Sequence, residues 1–217
     1  MMLKIISFDA DGTLVDTAYA DKVWLEGVPS LYAQAHDMDF DTAREEVRKA
    51  YETIGDGDVR WYELPYWFNR FGLKGSHEDV LDRYMDTIHV YDEVVPVLRR
   101  LHESHVLIVA SNAHRDFLIR TLQSVDCFID QVFSATSDYR EVGKSQDFFM
   151  RICQVLEISP REMAHVGDHF QFDYVFPSQV GIHAFFLDRE GKKSMTQQGL
   201  QSLQEFEEKI RELEGSI

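Results

Sequence analysis

Four short polar clusters in this chain could carry chemistry, and each follows an apolar run. Asp9-Ala10-Asp11-Gly12-Thr13 comes after Leu3 to Phe8, and Ser111-Asn112 after Val106 to Ala110. Gly143-Lys144 lies shortly beyond Gln131 to Ala135, and Gly167-Asp168, with Asp173 farther along, follows Met163 to Val166. If Asp9, Asp168 and Asp173 converge, their carboxylates repel one another unless a cation neutralises them. An all-oxygen donor set suits a hard cation such as Mg²⁺ better than zinc. Lys144 and the donors around Ser111 and Asn112 suit the oxygens of a phosphoryl group. An aspartate can act as the nucleophile and take the phosphoryl group. A second aspartate two residues on, brought to the same pocket by a glycine-assisted turn, can serve as general acid and then base. A metal and a lysine supply the positioning and charge stabilisation on which such a transfer depends. The chemistry indicated is metal-assisted phosphoryl transfer.

These groups need a scaffold that gathers strand ends. The apolar runs are short and bounded by polar or glycine punctuation, as buried strands are; His183 to Leu187 makes a fifth. Amphipathic stretches lie between or after them: Asp92 to Glu103, His114 to Val125, Gln146 to Leu156 and Ser202 to Leu213. Alternating strands and helices predict an α/β fold, a doubly wound parallel sheet with helices on both faces. In such sheets ligands bind beyond the carboxyl ends of the strands, where all four clusters fall. Roughly a hundred residues separate the first strand from the second, far more than one βαβ crossover needs. Helical patterning fills that gap over Ala20 to His36, Asp41 to Tyr51, Trp61 to Phe71 and Glu78 to His89, with breaks at Gly55-Asp56-Gly57 and Gly72 to Gly75. The expected organisation is a core of residues 1–16 and 90–217 with a helical insertion over 17–89 above the sheet's carboxyl edge.

Asp9-x-Asp11-Gly12-Thr13, Ser111-Asn112, Lys144 and Gly167-Asp168-x4-Asp173 resemble, in order and spacing, the four motifs of the haloacid dehalogenase superfamily. The resemblance covers essentially the whole chain, and the insertion is similar to that family's helical cap. It implies a Rossmann-like core, Asp9 as nucleophile and Asp11 as general acid and base. It further implies Mg²⁺ held by Asp9, the Asp11 carbonyl and Asp168, with Asp173 supporting the metal directly or through water. Ser111, Asn112 and Lys144 would hold the phosphate. Ser145 departs from the pattern, since a proline often follows the lysine; the change bears on loop stiffness.

The expected activity is hydrolysis of a small phosphorylated metabolite. A haloacid dehalogenase needs neither a metal nor an acid two residues past the nucleophile, so Asp11 and the Asp168/Asp173 pair argue against it. A sugar phosphomutase remains open, because core motifs do not separate it from a phosphatase. A phosphonate hydrolase needs a cap lysine, and nothing singles out Lys22, Lys49 or Lys74. A non-catalytic binding protein is disfavoured by competent residues at every position.

Composition narrows the partners. Lys and Arg number 22 against 38 Asp and Glu, a net charge of −16, which argues against nucleic-acid backbones and anionic lipid. Cys127 and Cys153 make no disulfide framework, so a reduced, cytoplasmic compartment is expected. The first apolar run turns acidic too soon for a signal peptide, and no run approaches the 18 apolar residues of a membrane span. A monomer or homodimer is expected. His114, His165, His169 and His183 read as satisfied or surface histidines. Trp24, Trp61, Tyr62, Tyr66, Trp67, Phe68 and Phe71 read mostly as the core of the insertion, and Glu205 to Glu214 as a solvated helix face.

Overall fold

Strands buried on both faces have no need of polar alternation, and the apolar runs form five strands, the two at the sheet's edges only partly buried. They are β1 (Ile5–Phe8), β2 (Val106–Ser111), β3 (Gln131–Ser134), β4 (Met163–Gly167) and β5 (His183–Phe186). The structure is a computed structural model and describes residues 2–189, 191 and 199–215. The sheet is wholly parallel in the order β3-β2-β1-β4-β5, with β1 and β4 buried along their length. This is the expected α/β fold.

Side-chain alternation divides the core between the two faces of the sheet. Ile6, Phe8, Leu107 and Val109 pack with helices Val94–His102 and Leu203–Gly215. Ile5, Ile108 and Ala110 face the other way, onto helix Gln146–Val155. In helix Val94–His102 the buried residues are Val94, Val97, Leu98 and Leu101, the i, i+3, i+4, i+7 stripe that docks a helix on a sheet. Each such side chain contributes about 1.5–3 kcal/mol by leaving water. Among the described residues no helix is long and apolar enough to cross a membrane.

Between β1 and helix Val94–His102 the chain is helical and builds its own apolar cluster around Trp67, Tyr51 and Leu81. An antiparallel bridge between Val15 and Val90 marks where the chain leaves and re-enters the sheet region. The insert's helices are more broken than their patterning predicts. Ala20 to His36 is a helix Ala18–Lys22, a π-helical turn Val23–Gly27 and a helix Val28–His36. Pro29 has no N–H to donate, and the ladder widens just before it. Gly27 sits where a Cβ would come within 2.5 Å of Val80, so its lack of a side chain lets helix His77–Arg83 pack close. Trp61 to Phe71 is a 3₁₀ turn Val59–Tyr62 followed by helix Leu64–Phe71, which starts with Pro65 in its first turn. Glu78 to His89 ends its α-helix at Arg83.

The acidic C-terminal helix is not solvated throughout. Glu207 is 4% exposed and accepts two hydrogen bonds from Arg100, at 2.8 and 2.6 Å. Helical periodicity places Glu207 beside the buried Phe206 and Ile210, so the pair clamps this helix to Val94–His102.

Candidate active site

Strand register brings the polar clusters together. Phe8 pairs with Val109 on one side and Val166 on the other, so the residues after β1, β2 and β4 emerge at the same level of the sheet. Asp9 extends that register, donating its N–H to the Val166 carbonyl at 2.9 Å. The chain then turns sharply. Gly12 has φ +78°, and a Cβ there would come within 2.6 Å of Asp168 Oδ2. A side chain at Gly12 would therefore push the first and fourth clusters apart. At the end of β4, a Cβ on Gly167 would stand 2.3 Å from the Asp173 carboxyl carbon. Both glycines are conditions for the carboxylates to meet.

They do meet. Oxygens of Asp9, Asp168 and Asp173 lie within 4.8 Å of one another. Asp9 and Asp173 are buried, and Asp11 lines the same cleft. Lys144, 2% exposed, reaches between them: its Nζ is 2.5 Å from Asp9 Oδ1 and also bonds Asp173 Oδ1. It stands ten residues past β3, on the loop before helix Gln146–Val155. Ser145 caps that helix, its Oγ accepting from the Phe148 N–H at 3.1 Å. The serine thus ends the Lys144 loop with a cap where a proline would have stiffened it.

Ser111 closes β2 and is buried, its Oγ accepting from the Ala113 N–H at 3.1 Å. Asn112 Oδ1 accepts from the Gly143 N–H at 2.8 Å, which ties the second cluster to the lysine loop. Ser111, Asn112 and Lys144 all line one cleft with the aspartates. The structure thus gathers Asp9, Asp11, Ser111, Asn112, Lys144, Asp168 and Asp173 around a space of about 420 Å³.

Charge is unevenly satisfied within it. Burial favours protonated Asp173, yet Lys144 and His165 outweigh that and hold its carboxyl well below the usual range. Burial likewise disfavours the Lys144 ammonium, but Asp173 and Asp9 together raise its pKa. Asp9 shares the same lysine, and there burial wins, with repulsion from Asp173 and Asp168 adding to it, so its pKa is raised. Burial and then Asp168 push Asp11 up to about 6. One lysine serves more carboxylates than it can neutralise, and all the converging donors are oxygens. Those two features fit a hard divalent cation held by Asp9, Asp168 and Asp173.

Sequence reasoning passed over part of the arrangement. His165, read as a satisfied or surface histidine, is fully buried in β4 and bridges Ser7 Oγ at 2.8 Å to Asp173 Oδ1 at 3.0 Å. Ser7 and His165 are register partners. The available signal was a polar residue in each of two buried runs, both two positions before a cluster. Burial lowers the His165 pKa, so the ring is neutral and orients Asp173 by hydrogen bonding. His169 gives only its backbone N–H to Asp173 Oδ2, at 2.9 Å, while its ring stacks on Phe172. His114 caps helix Arg115–Thr121. Asp21 and Asp56, which line the cleft from the insert, were unforeseen; of the insert's aromatic residues, one or two of which could have faced a substrate, the structure brings Trp24, Trp61 and Tyr62 to the cleft.

A family model described as haloacid dehalogenase-like hydrolase matches residues 3–181. The chain belongs to the haloacid dehalogenase-like hydrolases. A relative of this hydrolase is a glyceraldehyde 3-phosphate phosphatase of Pyrococcus furiosus, 26% identical over 192 residues, 83% of this chain and 78% of the relative. A GMP/IMP nucleotidase of Escherichia coli is 31% identical over 68 residues, 31% of this chain and 30% of the nucleotidase. Among solved structures, a HAD phosphatase from Thermococcus onnurineus superimposes with a TM-score of 0.82 at 22% identity, covering 98% of each chain. A 2-haloacid dehalogenase from Pseudomonas syringae gives 0.68 at 18% identity, covering 98% of this chain and 100% of that one. The structural likenesses establish the fold, which phosphatases and dehalogenases share.

Proposed function

We propose that this hydrolase is a Mg²⁺-dependent phosphomonoesterase working through an aspartyl-phosphate on Asp9. The observation that carries the reading is the joint placement of Asp11, Lys144 and the Asp9/Asp168/Asp173 cluster in one cleft. A dehalogenase would have no use for a second aspartate poised to move protons or for carboxylates suited to a metal. The names of the Pyrococcus and Escherichia relatives, both phosphatases of small molecules, support the same choice.

Asp9 attacks phosphorus, forming the acyl-phosphate bond as the ester oxygen departs. Asp11, with a pKa raised to about 6, donates the proton that the departing alkoxide needs. It then takes a proton from the water that attacks the aspartyl-phosphate, releasing inorganic phosphate and restoring both residues. Lys144 and the donors at Ser111 and Asn112 orient the phosphoryl oxygens. His165 and the His169 N–H hold Asp173 so that it in turn positions Lys144. Bound at Asp9, Asp11, Asp168 and Asp173, Mg²⁺ would supply charge neutralisation for the carboxylates and the phosphate. Closure of the insert over the cleft would exclude bulk water.

The test is release of 4-nitrophenol from its phosphate ester by wild type and Asp9→Asn, with Mg²⁺ and with chelator. Turnover that needs both Mg²⁺ and Asp9 is expected, the variant falling at least ~10³-fold, as loss of a nucleophile does. Equal turnover by the variant, or turnover unaffected by chelation, would refute the mechanism.

A further inference from the structure

The inner end of the cleft holds the reacting groups; its outer wall, contributed mainly by the insert, has a different character. Trp24, Trp61 and Tyr62 line it together with Phe117 from the helix after β2, and Asp21 and Asp56 stand among them. Among the described residues lining the cleft, six aspartates face one lysine, and there is no arginine. Lys144 is committed at the inner end to Asp9 and Asp173. Arg60 and Arg140, which lie on neighbouring segments, pair with Asp58 and Glu63 and do not reach the cleft. Asp21 is fixed by the Thr17 hydroxyl at 3.0 Å, and its charge is close enough to raise the Asp11 pKa.

The aromatic wall is held by its own contacts. Trp24 stacks on Phe117 at 5.5 Å, meets Trp61 at 5.6 Å with a 34° tilt, and Trp61 meets Tyr62 at 5.0 Å and 62°. The rings are set at successive angles and so do not form one flat wall. A flat base would need a parallel slot, and Trp24 already gives one face to Phe117. Angled aromatic faces with carboxylates beside them attract a compact cation through the ring quadrupoles and Coulomb attraction. Beside Asp21 and Asp56 a second anionic group would meet Coulomb repulsion.

We propose that the outer compartment selects phosphomonoesters whose leaving alcohol carries an ammonium group on a short apolar arm, and disfavours those with a second anion. This deepens the phosphomonoesterase reading and rests on it for the reaction, although the cation subsite can be tested without turnover. Three esters separate charge from shape: phosphocholine, its uncharged isostere 3,3-dimethylbutyl phosphate, and 3-phosphoglycerate with a second anion. With Mg²⁺, kcat/KM is expected to be roughly tenfold or more higher for phosphocholine than for the isostere, the scale of one desolvated cation–π contact. 3-Phosphoglycerate should be slowest. Asp21→Asn and Asp56→Asn should each narrow the phosphocholine-to-isostere ratio. In parallel, quenching of tryptophan fluorescence reads the binding of choline against 3,3-dimethylbutanol to the full chain. Preferential choline binding by a protein that hydrolyses no ester would support the cation subsite and sink the phosphatase reading alone. An isostere or 3-phosphoglycerate that matches or beats phosphocholine would overturn the proposal, as would a purine nucleoside monophosphate, assayed beside these three, that outpaces phosphocholine.

Discussion

Lys144→Met removes the cation that Asp9 and Asp173 share while keeping most of the side chain's bulk. The Asp9 contact alone, at 2.5 Å, has a gross attraction of ~7 kcal/mol at an effective dielectric of about 20. Desolvation of the ions offsets much of that, so the net cost of deleting one partner from a buried network is about 3–5 kcal/mol. With a urea slope of ~3 kcal/mol/M, the midpoint of the chelated protein should fall by roughly 1–2 M at pH 7. Two signatures distinguish lost charge from lost packing. Without the lysine, Asp9 and Asp173 repel unscreened and their pKa values rise, so the folded variant takes up protons and the deficit shrinks as pH falls toward 4. Mg²⁺ should also raise the variant's midpoint by more than it raises that of wild type, because the cation then relieves the repulsion that Lys144 had covered. Urea titrations of both proteins at pH 5 and 7, with chelator and with Mg²⁺, measure all of this. A variant as stable as wild type in chelator, or a deficit independent of both pH and Mg²⁺, would refute the electrostatic account.

Asp11 gives a pH test of the opposite sign to an ordinary salt-bridged carboxylate. Its folded pKa is raised from 3.8 to about 6, so the folded state binds more protons in that window and stability falls as pH rises through it. The contribution is at most roughly 3 kcal/mol. Thermal melts in chelator from pH 4 to 7 should show this slope in wild type and a flatter one in Asp11→Asn; parallel slopes would count against the burial argument. Gly167→Ala places a Cβ 2.3 Å from the Asp173 carboxyl carbon and should cost about 1–3 kcal/mol, with weakened Mg²⁺ binding by calorimetry. Gly57→Ala, with nothing within 4 Å of its Cβ, should stay within ~0.5 kcal/mol in the same melts.

The core was legible because its signals are local. A parallel strand covered on both faces must be apolar along its length, and β1, β2 and β4 stand out as such runs. The candidate site groups were legible for a related reason: each sits within a few residues of a strand's carboxyl end, and parallel pairing brings those ends to one edge. Lys144 is the exception among them, on a loop ten residues past its strand; motif order, not a local signal, placed it with the rest. The insert's helices were visible by period but their breaks were not: the π turn Val23–Gly27 before Pro29 also lies where Gly27 packs close to Val80, a contact from a distant segment.

What the sequence by itself determined is the set of polar side chains that gather at the cleft and the alternation of strand and helix that presents them. Only the tertiary structure decided which groups neutralise one another. Lys144 reaches Asp9 across 135 positions of chain and His165 pairs with Ser7 across 158, separations at which no periodicity informs. The same holds for the cleft's outer wall. Trp24, Trp61 and Phe117 share one aromatic corner because helices from distant segments pack there. Side-chain convergence of that kind depends on rotamers and packing angles that composition does not encode.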